Sequence, residues 1–304
     1  MNARKNRITH PRATWLSPKD GRLLDASRFV RRMAKKEVVL LGETHNVAEI
    51  HRWQLHVAAA LHTLRPQMMM GFEMFPRRLQ PVLDEWVAGQ LDTNAFIEKS
   101  EWYDVWGFPA EIYLPLFHFC RQQKVRMLAL NCYRPLVTRV GKEGWENIPE
   151  SERDGLTPSA PATPAYRQYL RKISERFAGQ KGAVQNGGMP AYSEDRFIRA
   201  QQTWDRAFAC NIVHALNADA SDSPPLVIGI IGRGHLEYGH GTPYQLKDLG
   251  IKNVGVLLPS SEPEVRLDEV RGIGDGIFRL DVPEPPIPIT ERKRRTPPAP
   301  AQAS

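Results

Sequence analysis

Short runs of continuous apolar residues alternate along the chain with stretches where apolar side chains recur every three or four positions. This is the pattern of buried parallel strands separated by helices. The first run, VVLL at 38–41, leads into a helical stretch that reaches about Leu64 and stops before Pro66. Asn46 stands where that helix would be capped, with Glu49 three residues on in the position of a capping box. A second strand is expected over MMMGFEMF (68–75) and a third over VRMLALN (125–131). Between them lie an amphipathic stretch around 79–87 and the aromatic segment WYDVWGFPAEIYLPLFHFC. LVIGII (226–231) and VGVLLP (254–259) give two later strands. The fold class this predicts is α/β, a mainly parallel sheet flanked by helices, with helical and loop insertions.

Residues 141–164 are rich in Pro, Gly, Ser and charge and read as an exposed insertion. A helical pair follows, split by a glycine-rich gap. Its second member, about 193–217, takes Ser193 as its N-cap and places Glu194 and Asp195 in its first turn. Phe197, Trp204, Phe208 and Ile212 form its apolar face. At roughly 100° per residue Gln201 and Asp205 fall within or beside that stripe. A polar group there serves either as a buried hydrogen-bonding side chain or as support for a nearby site.

Composition narrows the functional classes. The 304 residues are 41% apolar and 25% charged, enough for a substantial core. One domain is expected over 15–282, between a basic segment (1–14) and a Pro-rich basic tail (283–304), both too poor in apolar residues to order themselves. The net charge of +7 is spread along the chain, and the dense run ERKRR (291–295) lies in the tail. With no zinc-finger spacing, aromatic RNA-binding signature or basic helix, a nucleic-acid partner is not expected. Cys120, Cys132 and Cys210 are an odd set without CxxC spacing, which fits reduced thiols in a cytoplasmic protein. No stretch is long and apolar enough for a membrane span.

Ligands of open parallel sheets bind beyond the carboxyl ends of the strands, and several strands here end on polar groups. The first delivers Glu43 and His45 in GETH, the second carries Glu73 in GFEMF, the third ends on Asn131, and LVIGII runs into GRGH with His235. Glu73 lies among methionines and phenylalanines, where a carboxylate needs a partner. Such a set could bind a divalent metal through His45, Glu73 and His235, supply a general base with its orienting partner, or bracket a larger ligand. Asn131, Gln201 and Asp205 would support it from behind. No GxSxG or other nucleophile motif is present, so hydrolysis would use water.

VVLLGETHN, GFEMF, YLPLFHFC leading into LALN, AQQTWDRAFA and GRGHLEYGHGTP together resemble the ChaN-like family of haem-binding uptake proteins, placed with the Tiki and erythromycin-esterase-like group. The likeness runs from about Trp15 to Pro259. It implies an α/β fold, haem as ligand, and homodimers with haem between subunits and tyrosine on the iron. Among Tyr103, Tyr113, Tyr192 and Tyr238, the resemblance makes Tyr238 and Tyr113 the leading candidates, with His45 and His235 beside them and His240 on the same loop as Tyr238. From the broader group it implies that Glu43, His45, Glu73 and His235 occupy positions used in metal-dependent or base-catalysed hydrolysis. Many family members are exported lipoproteins; the start of this sequence carries no apolar leader or early cysteine, so haem handling in the cytoplasm is the expectation.

Overall fold

The computed structural model describes residues 7–181, 194–219, 223–282 and 284–287. In chain order the elements are β1 (Arg7–Thr9), β2 (Trp15–Leu16), β3 (Leu23–Leu24), α1 (Ala26–Met33), β4 (Val38–Glu43), α2 (Ala48–Leu64) and β5 (Met68–Pro76). There follow α3 (Gln80–Ala88), α4 (Thr93–Lys99), α5 (Trp102–Val105), α6 (Leu114–Gln123), β6 (Arg126–Asn131), α7 (Arg134–Glu143), α8 (Pro164–Lys181) and α9 (Glu194–Ala218). The last are β7 (Leu226–Gly232), α10 (Thr242–Asp248), β8 (Val254–Ser260), β9 (Glu264–Arg266), α11 (Leu267–Val270) and β10 (Gly276–Arg279).

Eight strands form one sheet in the order β3-β2-β10-β8-β4-β7-β5-β6. From β10 to β6 every neighbouring pair is parallel, and β2 and β3 add an antiparallel edge. β4 lies between β7 and β8, inside the sheet, and both its faces are covered. Val39 and Leu41 pack in the cluster with Ile50, Trp53 and Val57 of α2, while Val38 and Leu40 pack with Phe208 and Ile212 of α9. That double burial explains why the strand reads as an unbroken apolar run instead of an alternating one.

The short strands were not visible in the hydrophobic pattern, and three local expectations change. Val47 is the N-cap of α2 and makes no side-chain cap bond. The Asn46 amide donates to the Ile287 carbonyl at 2.8 Å, and the Ile287 N–H returns a bond to the Asn46 carbonyl at 2.7 Å. Glu49 turns its carboxylate to the Val282 N–H at 2.7 Å. Long-range main-chain partners therefore outcompete the local capping box.

The basic leader is ordered from Arg7 onward, against the disorder expected for 1–14. β1 pairs with β9, and His10 is fully buried. Residues 284–287 likewise dock, with Glu284 paired to Arg52. Composition cannot reveal such pairing, because main-chain hydrogen bonds do not depend on residue type. In the supposed insertion, Ile148 and Leu156 are buried with Val137 and Val140 of α7. Ser193, Tyr192 and the 291–295 run lie outside the described residues. Among the described residues no helix is long and apolar enough to cross a membrane.

Candidate functional site

The period of two along β4 that places Val39 and Leu41 against α2 carries Glu43 to the same face. Its carboxylate is fully enclosed. Oε1 accepts from the His45 Nδ1–H at 2.7 Å and from the Tyr113 hydroxyl at 3.0 Å, and Oε2 accepts from the Gln54 amide at 3.3 Å with His51 Nδ1 3.5 Å away. Burial alone would raise the Glu43 pKa, but the charges and hydrogen bonds of His51, His45 and Tyr113 outweigh it and hold the carboxyl below its ordinary value. For His45, burial works downward, yet the hydrogen bond to Glu43 and the charges of Glu73 and Glu43 leave its pKa raised. The imidazole stands edge-on to Trp106 at 4.7 Å and beside Phe108 at 5.3 Å.

Glu73 comes from a stretch of β5 where the register with β6 slips between Phe72 and Pro76. Irregularities of this kind re-aim a side chain at a strand end. The Asn131 amide clamps the irregular stretch by donating to the Glu73 carbonyl at 2.8 Å. The Glu73 carboxylate accepts from the Gly232 N–H at the end of β7. A Cβ on Gly232 would lie 3.0 Å from His45 Cε1 and 3.3 Å from Glu73 Oε2, so glycine is what lets these two groups close together.

Beyond Gly232 the chain makes a single 3-10 turn that presents His235, whose Nδ1–H donates to Asp205 of α9 at 2.8 Å. The fully buried Asp205 also accepts from the Tyr166 hydroxyl of α8 at 2.6 Å. Burial pulls the His235 pKa down. The charge and hydrogen bond of Asp205, with the Glu73 charge, more than reverse this, and His45 opposes; the net shift is upward. Glu43, His45, Glu73 and His235 thus form one electrostatically connected group at the carboxyl ends of β4, β5 and β7. Each imidazole is oriented through Nδ1 by its own carboxylate, which leaves Nε2 as the working nitrogen.

Other placements depart from expectation. Gln201 is half-buried and makes no hydrogen bond among the described residues; Thr203, Asp205, Arg206 and Asn211 are the buried polar groups of α9. Tyr113 is wholly buried, donates to Glu43, and is pushed well above its ordinary pKa by burial and the Glu43 charge, which removes it as a phenolate ligand for an external group. Among the described residues no group of three or more His, Cys, Asp or Glu side chains could hold a metal ion, which overturns the divalent set His45, Glu73 and His235. The Glu73 carboxylate is turned onto the Gly232 N–H.

Sequence reasoning missed His51, Gln54, Tyr166 and Gly232. His51 and Gln54 carried a signal, since they share the buried stripe of α2 with Ala58 and Leu61 at helical spacing. Tyr166 carried none, because it reaches Asp205 only through the packing of α8 on α9.

Next to this group the rim opens onto an aromatic patch. Tyr238 is 39% exposed and donates to the Glu269 carbonyl at 2.7 Å. His240 is half-buried, and burial lowers its pKa against the opposing Asp205 charge. Its ring lies 6.1 Å from that of Tyr238 and 5.9 Å from that of Tyr169.

The profile of the family described as "Haem-binding uptake, Tiki superfamily, ChaN" matches residues 29–246. The chain belongs to this family. That match runs from within α1 into α10 and takes in Glu43, His45, Glu73, Asp205, His235, Tyr238 and His240. Within the same fold, ChaN of Campylobacter jejuni, whose structure is titled for cofacial haem binding, superposes with a TM-score of 0.67 over 87% of this chain and 95% of that one, at 18% identity. An erythromycin esterase in its open conformation gives a TM-score of 0.46 at 11% identity over 81% of this chain and 76% of that one. The chloroplastic protein RETICULATA-RELATED 5 of Arabidopsis thaliana is 24% identical over 223 residues, 71% of this chain. The chain spans 29% of that relative's length. In this chain the pairing of β4 with β7 sets the GETH and GRGH turns side by side.

Proposed function

We propose that this ChaN-family chain binds haem on the carboxyl rim of its sheet, with Tyr238 as the ligand to iron and His240 as the neutral base that takes up the phenol proton. The observation that carries the reading is the exposed Tyr238 with the His240 ring 6.1 Å from its own, within the segment the family profile covers. Tyrosine supplies a hard anionic oxygen to ferric haem; ligation requires the hydroxyl to leave the Glu269 carbonyl. Tyr169 offers a ring for contact with the porphyrin, and Arg233 a cation for its carboxylates. Because Tyr238 sits on an open surface, a planar ligand there would need a second wall, and a second copy of the chain in a homodimer would provide it. The three free thiols fit a reducing compartment, the cytoplasm.

Titration of the protein with ferric haem tests this through the Soret and charge-transfer bands and through dilution. Tyr238→Phe should shift those bands and weaken retention, His240→Ala should weaken retention less, and Tyr113→Phe should change neither. Unaltered spectra in Tyr238→Phe sink the ligand assignment.

A second reading rests on a different observation, the two imidazole–carboxylate pairs that face Glu73. These could pass protons to and from water in hydrolysis, with Glu73 as base. Glu73→Gln would then lower turnover by about 10² to 10⁴, while leaving the haem spectrum intact.

A further inference from the structure

The sheet's opposite edge, at the amino ends of the strands, carries a feature that the ligand rim does not use. Between residues 19 and 37 there are seven basic residues against three acidic ones. Arg28, Arg31, Arg32 and Lys35 lie along one stripe of α1 and its C-terminal turn, all exposed, and none enters an ion pair among the described residues. The acidic neighbours are otherwise engaged: Asp25 caps α1 and Glu37 accepts from the Asn253 N–H at 3.1 Å.

Two further contacts widen the stripe into a surface. The Arg65 guanidinium at the end of α2 donates to the carbonyls of Ala34 and Lys36, at 3.3 and 2.7 Å, which fixes the exposed Leu64 (41%) beside the basic turn. The Asn253 amide donates to the Lys35 carbonyl at 3.0 Å, which brings the exposed Lys252 to the same place. α1 leads into β4, α2 into β5, and Lys252 precedes β8. All three therefore sit at the amino edge, on the far side of the sheet from His45 and His235.

We infer that this face docks on an anionic lipid surface. Four uncompensated cations on one helical stripe match the negative potential of an anionic leaflet, which attracts each nearby Lys or Arg independently of sequence. The exposed leucine beside them distinguishes this surface from one built for nucleic acid. An apolar side chain enters the headgroup boundary but gains nothing from phosphates, and single-stranded nucleic acid is bound by exposed aromatic rings. The aromatic of α1, Phe29, is buried beneath the Arg32 guanidinium at 5.1 Å. The apolar side of α1 already packs in the core through Phe29 and Met33, so the helix stays in place and the association is peripheral. Docked this way, the carboxyl rim points away from the lipid and stays open to its ligand.

Co-sedimentation of the intact chain with vesicles tests the proposal. Vesicles of equal parts phosphatidylcholine and phosphatidylserine should retain the protein at least about tenfold better than phosphatidylcholine alone, and raised salt should release it. The pair Arg31→Glu with Lys35→Glu should lower retention by at least about tenfold, whereas Lys142→Glu with Lys247→Glu, elsewhere on the surface, should change it by less than about threefold. Leu64→Ser should lower retention by about threefold to tenfold. Equal retention on both vesicle types overturns the inference, as does indifference to Arg31→Glu with Lys35→Glu. Displacement from vesicles by an RNA or duplex DNA oligonucleotide at lower concentration than soluble phosphatidylserine would also overturn it, and would assign the face to nucleic acid.

Discussion

The two imidazole–carboxylate pairs of the rim are chemically alike and built in opposite ways. Glu43 and His45 are two residues apart on one strand end, whereas Asp205 and His235 are 30 residues apart and meet only because α9 packs against β7. The Glu43 half is redundant: Tyr113 also reaches the His45 carbonyl at 3.0 Å, and His51 also bonds Gln54 at 3.0 Å and the same carbonyl at 3.1 Å. The Asp205 half has no such reserve, since Tyr166 and His235 both depend on one carboxylate. Local construction permits spare partners because one strand and one helix supply them together. Long-range construction concentrates the load on a single buried charge.

That contrast orders the expected effects. Asp205→Ala should cost about 3–5 kcal/mol in denaturant unfolding, the range for removing one member of a buried charge pair. Glu43→Ala should cost about 1–3 kcal/mol, because Tyr113, His51 and Gln54 keep other acceptors; the reverse order would break the comparison. Gly232→Ala forces a Cβ against His45 and Glu73 and should cost about 1–3 kcal/mol. It should also separate the two groups, visible as a fall in the His45 pKa by proton NMR. Asn46→Ala removes the side-chain bond to Ile287 and should cost about 0.5–1.5 kcal/mol. Truncation after residue 280 should have an effect in the same direction, where a featureless tail would have none.

The pH dependence separates the halves most finely. The raised pKa values of His45 and His235 contribute stability that is fully present below the ordinary imidazole value, about 6.5, and is lost as pH rises through their folded values. The lowered Glu43 value contributes stability present above the ordinary carboxyl value and lost as pH falls through its folded value. NMR titration of the histidine ring protons should therefore place both imidazoles above their ordinary value. Asp205→Asn should drop His235 alone, because burial then acts without its largest opponent; an unmoved His235 would deny that Asp205 sets it.

Much of the strand framework was legible because β4, β5 and β7 are buried on both faces, and such strands must be apolar along their whole length. The short strands β1, β2, β3, β9 and β10 were not, since two to four residues hold no period to read. The GETH and GRGH turns stood out because polar groups at the ends of apolar strands are few, and Glu73 because a carboxylate among methionines must find a partner. Tyr113 misled as a candidate ligand: its aromatic neighbourhood is the core itself, and only burial distinguishes a core tyrosine from a rim one.

By itself the sequence determined that β4 would deliver Glu43 inward and His45 just beyond it, because the alternation of a strand and the freedom of a two-residue step are local properties of the chain. It determined equally that Asp205 would lie beside the apolar stripe of its helix, because helical period is local too. Only the tertiary structure decided that Asp205 meets His235, that Glu73 turns onto the Gly232 N–H instead of toward a metal, and that Asn46 bonds Ile287 in place of capping α2. Each of those depends on which strand lies next to which, and in a parallel sheet neighbours in space are set by crossover connections spanning dozens of residues, beyond the reach of any local pattern.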